Sequence, residues 1–156
     1  MTNPDRVPGL IEPIRLSTRV RKGIEETFEL FALNMTAWWP LDRFSFAVDR
    51  ALEVHMEPFE GGRFYEQYRD GEEHQIGEVL RWDPPLGLTF TWRHKDGAAP
   101  TEIDVRLTAE DATVTRVEIE HRSWERLGSA GIQMRDEYLN GWPTVIACFT
   151  HAAGAA

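Results

Sequence analysis

Apolar and polar residues alternate through most of this chain, with a helical period only near its two ends. From Ile14 the run IRLSTRVR places Ile14, Leu16, Thr18 and Val20 on one face, which predicts a strand. Gly23 breaks the alternation and suits a helix N-cap, with Glu25 and Glu26 in the first turn. Ile24, Phe28, Phe31, Ala32 and Met35 follow at helical spacing, predicting one amphipathic helix. The segment TAWWPLDRFSF, interrupted by Pro40, reads as a short second helix or an ordered loop.

Alternation then resumes almost without pause. Leu52, Val54 and Met56 share one face, Phe64, Glu66 and Tyr68 the next, and Asp70-Gly71 marks a tight turn. HQIGEVLRW places Ile76, Glu78, Leu80 and Trp82 together, and Pro84-Pro85 turns the chain into Leu88, Phe90 and Trp92. Beyond Asp96-Gly97, Ile103, Val105 and Leu107 point inward, and a turn at Glu110-Asp111 leads to Val117, Ile119 and His121. Six short strands joined by short turns predict an antiparallel meander. The period then changes to helical through Tyr138, Trp142, Val145, Ile146 and Phe149, with a kink expected near residue 140 from Gly141 and Pro143. Residues 1–13 read as an irregular lead-in, 14–151 as one domain, and 152–156 as a frayed end. The class is α+β. An antiparallel sheet with one apolar face needs a cover, and only the C-terminal helix is long enough. A bent sheet around a straighter helix leaves a space between them where a ligand would fit.

Charge and composition narrow what such a space would serve. Lys and Arg number 17 against 26 Asp and Glu, a formal net charge of −9, which repels nucleic acid and anionic membranes. One cysteine, Cys148, excludes an internal disulfide, and no signal-peptide layout or membrane-length apolar run occurs. The expectation is a soluble cytoplasmic protein. No phosphate-loop, nucleophile-elbow or other cofactor motif is found, and the histidines and cysteine lack metal-ligand spacing, so no cofactor and no metal are expected.

Two sets of residues carry candidate chemistry. Glu66 and Glu78 share parity with aromatic residues on neighbouring strands, and carboxylates enclosed by aromatics have raised pKa values unless donors compensate. The alternative is a wet sheet edge, or a bulge that reverses one strand's parity. His121 either meets a ligand or is a hydrogen-bonded structural histidine. Trp38, Trp39, Phe44, Phe64, Trp82, Trp92, Tyr138 and Trp142 either wall a cavity, with indole N–H groups as polar handles, or fill a core.

The helix-then-AWWP segment, GGRFYE (Gly61 to Glu66), GEVLRWDPPLGLTFTW (Gly77 to Trp92), VEIEHRSWE (Val117 to Glu125) and the Gly141-Trp142 pair, in that order, resemble the SRPBCC superfamily of START-like helix-grip proteins. Within it they are most similar to bacterial homologues of the activator of the ninety-kilodalton heat-shock chaperone ATPase. The resemblance spans residues 14–151. It implies a curved sheet of about seven strands around a long C-terminal helix, with two short helices after the first strand. It leaves three roles open, because fold does not fix function. The leading one is a non-enzymatic domain enclosing a small hydrophobic or aromatic molecule against Trp38, Trp39, Phe64, Trp92, Tyr138 and Trp142. Glu66, Glu78 or His121 would orient the ligand, and the AWWP segment would gate the mouth. The second is a cyclase or dehydratase acting on polyketides through those acids, and the third a chaperone partner. Oligomeric state, a homodimer included, stays open.

Overall fold

The computed structural model describes residues 10–46 and 50–156. Strand β1 (Ile14–Val20) leads into helix α1 (Ile24–Phe28), which widens into a π-helical turn over Glu29–Leu33, followed by a 3₁₀ turn at Met35–Ala37 and helix α2 (Leu41–Phe44). Six strands follow: β2 (Ala51–Met56), β3 (Arg63–Tyr68), β4 (Glu73–Asp83), β5 (Gly87–Trp92), β6 (Thr101–Asp111) and β7 (Val114–Arg122). A 3₁₀ segment over Trp124–Ala130 then delivers the chain into α3 (Gly131–Ala153). The strands form one antiparallel sheet in the order β1-β7-β6-β5-β4-β3-β2, a meander closed by β1 beside the last strand. This is the expected helix-grip architecture.

Most expected inward residues are buried, among them Ile14, Val20, Val54, Met56, Phe64, Phe90, Ile103, Val105, Leu107, Val117 and Ile119. The apolar face of α1 and its π-helical extension joins them: Phe31 lies 5.0 Å from Trp38 and 5.2 Å from Phe149 of α3, ring centre to ring centre. Leu52 departs from the pattern and is exposed, next to a register shift between Ala51 and Glu53.

Strand β4 departs further. Phe64 pairs with Gly77 but Tyr65 with Gln75, so Ile76 is an extra residue, and both Ile76 and Gly77 are buried. A second irregularity lies between Val79 and Arg81, where Leu80 is extra. The first bulge reverses the strand's parity and the second restores it. Val79 therefore faces inward, Glu78 and Leu80 outward, and Trp82 returns to pack edge-on against Phe28 at 5.1 Å. Gly77 is required at the first bulge. A Cβ there would stand 1.9 Å from the Thr91 carbonyl oxygen, while the next amide, of Glu78, donates to Thr91 Oγ1 at 2.9 Å.

Helix α3 runs through Gly141 and Pro143 as one element. One expectation about the C-terminal segment changes. The end expected to fray is pinned: Arg21 donates its amide to the Gly154 carbonyl at 2.6 Å, Ala155 bridges Val20, and Ala153 is buried. Residues 10–13 carry no regular secondary structure, and the rest of the lead-in lies outside the described residues.

Candidate functional site

A cavity of about 410 Å³ lies between α3, strands β5 to β7 and the segment around α2, partly open to solvent. Its aromatic walls come from Trp39, Phe44 and Phe46 on one side, Trp92 on the sheet, and Tyr138 and Trp142 one helical turn apart on α3. Trp92 is the centre of this arrangement, with ring centres 5.8 Å from Trp39, 5.6 Å from Phe46, 5.8 Å from Phe64 and 6.1 Å from Tyr138. Gly141 admits the edge of Phe44 to the helix, since a Cβ at that position would lie 3.2 Å from the ring.

The polar groups around the cavity are mostly engaged with one another. The Trp39 indole donates to the Phe44 carbonyl at 3.3 Å, that of Trp142 to His121 Nδ1 at 3.0 Å, and that of Trp92 to the Tyr138 hydroxyl at 2.7 Å. Indole N–H groups expected as ligand handles are therefore bonded inside the protein. His121 is wholly buried, and both ring nitrogens are used. Thr101 Oγ1 donates to the Trp92 carbonyl at 3.1 Å, leaving its lone pairs to accept from His121 Nε2 at 2.8 Å, while Nδ1 accepts from Trp142. This network assigns the neutral Nε2–H tautomer. Burial lowers the imidazole's pKa from 6.5 to about 3, so it carries no charge near neutral pH. Of the two readings of His121, the hydrogen-bonded structural one describes its surroundings, although its ring forms part of the cavity floor.

Glu66 is also buried, behind the wall rather than in it. Its carboxylate accepts from Ser45 Oγ at 3.0 Å, from the Phe46 amide at 3.2 Å and from the Tyr68 hydroxyl at 3.1 Å. It thereby ties the stretch after α2, which carries Phe46, to the sheet. Burial, and then the charge of Glu66, push the Tyr68 phenol up to about 12, keeping it protonated as a donor. Phe64 and Trp38 likewise back the cavity without lining it; Trp38 gives its indole N–H to the Leu30 carbonyl at 3.0 Å. Glu78 is a correction. The first β4 bulge turns it outward, and it takes no part in the cavity.

Residues absent from the expected set complete the site: Ser45, Phe46, His94, Ile103, Glu137, Gly141 and Val145. Val145 lies three residues beyond Trp142 on a face already expected to meet the sheet, so helical spacing foreshadows it. His94 and Glu137 meet only because β5 ends beside the first turns of α3, which no local pattern records. His94 is held below its ordinary pKa, chiefly by burial and then by Lys95, with Glu137 opposing. Tyr138 is raised, chiefly by burial, against the opposing effect of the Trp92 hydrogen bond. Among the described residues no cluster of three or more His, Cys, Asp or Glu could hold a metal ion, and no helix is long and apolar enough to cross a membrane.

A meander gripping one long helix over an aromatic-walled cavity defines a helix-grip ligand-binding domain. The family model described as "Activator of Hsp90 ATPase homolog 1-like protein" matches residues 24–153, and the chain belongs to this family. Among solved structures it is 31% identical to the anthrahydroquino-γ-pyrone synthase Txn09, complexed with SUM, over 94% of this chain and 99% of that one, with a TM-score of 0.62. It is 28% identical to the self-sacrificing resistance protein CalC from Micromonospora echinospora, over 90% and 92% of the two chains, with a TM-score of 0.67. Protein BH1534 from Bacillus halodurans, 19% identical over 93% and 99% with a TM-score of 0.65, shares the fold. No curated protein sequence matches the chain significantly.

Proposed function

We propose that this protein binds a flat, largely apolar, uncharged molecule in the cavity between α3 and the sheet. The observation that supports this most is the enclosure of that cavity by three indoles, Trp39, Trp92 and Trp142, whose N–H groups are all occupied. What these rings offer a guest is π surface and apolar area rather than hydrogen bonds. The volume, about 410 Å³, falls in the lower part of the roughly 300–1,000 Å³ range of small-molecule sites. Glu137 at the cavity and a net charge of −9 disfavour an anionic guest. Titration with a neutral fused-ring compound such as 2-(hydroxymethyl)anthraquinone, followed by tryptophan fluorescence, should give saturable quenching. Absence of saturable quenching with neutral fused-ring compounds refutes the proposal.

A second reading, catalysis in the manner of a polyketide cyclase, is favoured by the 31% identity to a synthase. Glu78, outside the cavity, and His121, neutral and doubly bonded, are poorly suited to acid–base work in it. Here the acid–base groups on the cavity would be His94, Glu137 and Tyr138. A chaperone-activating role rests on the family description alone. The large exposed apolar side chains, including Leu52, Phe59, Leu86 and Ile132, are spread over several elements.

A further inference from the structure

Beyond its apolar walls, the cavity carries on its inner wall, between Trp92 and α3, a hydrogen-bond donor that the described residues leave unused. The Tyr138 oxygen accepts the Trp92 indole proton at 2.7 Å, and among the described residues no acceptor takes the phenol's own proton. The other donors of the inner wall are committed: the Ser45 hydroxyl to Glu66, the indoles of Trp39 and Trp142 to Phe44 and His121, and His121 Nε2–H to Thr101. An N–H donating into a phenol oxygen polarises its O–H bond and makes it a stronger donor. The phenol is held protonated by its burial. Of the other titratable groups on the cavity, His121, its ring centre 5.5 Å from that of Tyr138, is buried and neutral, while His94 from the end of β5 and Glu137 on α3 are at least partly exposed to water.

Resting on the proposed binding of a flat apolar guest, we infer that Tyr138 is the residue that orients it, by donating a hydrogen bond to a carbonyl oxygen carried on the ring system. The ligand class is thereby a fused-ring ketone or quinone rather than a bare hydrocarbon or a lipid chain. The Trp92–Tyr138 pair reads the oxygen, while Trp39, Trp142 and Phe46 read the plane. A hydrocarbon of the same shape fills the same space and covers the partly buried phenol without giving its proton a partner, and unpaired polar groups are what make such sites selective.

The test compares two neutral probes of the same outline, 2-(hydroxymethyl)anthraquinone and 2-(hydroxymethyl)anthracene. Their affinities for the native protein and for Tyr138→Phe are measured by fluorescence titration, and the carbonyl stretch of bound quinone by infrared difference spectroscopy. Native protein should prefer the quinone by roughly fivefold to tenfold, the worth of one net hydrogen bond, and should lower its carbonyl frequency. In Tyr138→Phe the preference should fall towards one and the frequency shift should vanish. Equal native affinities, an unshifted native carbonyl, or a phenylalanine variant that keeps both signals overturns the assignment of Tyr138 while leaving the cavity reading intact. Failure of both probes to bind the native protein overturns both. Should Tyr138→Phe not fold, the carbonyl frequency of quinone bound to His94→Ala decides: a retained shift supports Tyr138 and a lost shift overturns it.

Discussion

Packing among Trp124, Tyr138 and Trp142, with ring centres 4.1, 5.5 and 5.9 Å away, leaves the His121 imidazole neutral far below its ordinary range. The sign of the consequence follows from linkage. Between about pH 6.5 and about 3 the unfolded chain binds a proton that the folded chain refuses, so stability falls as pH drops through that window and is unaffected above it. Nitrogen-detected NMR at about pH 5 should find His121 as the neutral Nε2–H tautomer. A protonated ring there would contradict the network described. The two glutamates divide in the same physical terms. Glu66→Ala removes the acceptor shared by the Ser45 hydroxyl, the Phe46 amide and the Tyr68 phenol, and should lower folding stability by about 1–3 kcal/mol. Glu78→Ala, on an exposed site, should change stability by less than about 0.5 kcal/mol and leave probe binding as it was. Chemical denaturation of the two variants checks both statements.

At the level of elements, β3 and β7 were legible because period-two alternation holds from end to end. In these strands the sheet has one apolar face, and each residue's parity decides its environment. Strand β4 was not fully legible. GEVLRW alternates as well as its neighbours do, yet two bulges shift Glu78 and Leu80 to the outer face. A bulge is fixed by pairing partners from β3 and β5, which are remote in sequence, and Gly77 was its only local trace. Adding a methyl group there would drive it into the Thr91 carbonyl. Gly77→Ala should therefore destabilise the protein by about 1–3 kcal/mol, measured by urea denaturation. An unchanged midpoint would mean that the bulge does not depend on the glycine. Helix α3 was legible in its continuity and its inward face, even though Gly141 and Pro143 are poor helix formers by propensity. Tertiary packing overrides them, with Trp142, Val145 and Phe149 all buried against the sheet.

For the whole molecule, the architecture followed from element order, which suggested a space under α3 without deciding between a walled cavity and a filled core. Which aromatics line that space and which lie behind it did not. Trp39 and Trp38 are adjacent in sequence, yet one lines the cavity and the other turns into the core against Phe31 and Phe149. The central claim is that the aromatic cavity receives the guest. It is tested most directly at Gly141, where a side chain would grow towards Phe44 across the lining while replacing a poor helix former by a good one. The measurement is the quenching of tryptophan fluorescence by 2-(hydroxymethyl)anthraquinone in the native protein and in Gly141→Leu, with thermal melting recorded on both. The account predicts saturable quenching in the native protein and at least a tenfold loss of affinity in a folded Gly141→Leu. Equal affinities in two folded proteins would place the guest elsewhere and contradict it.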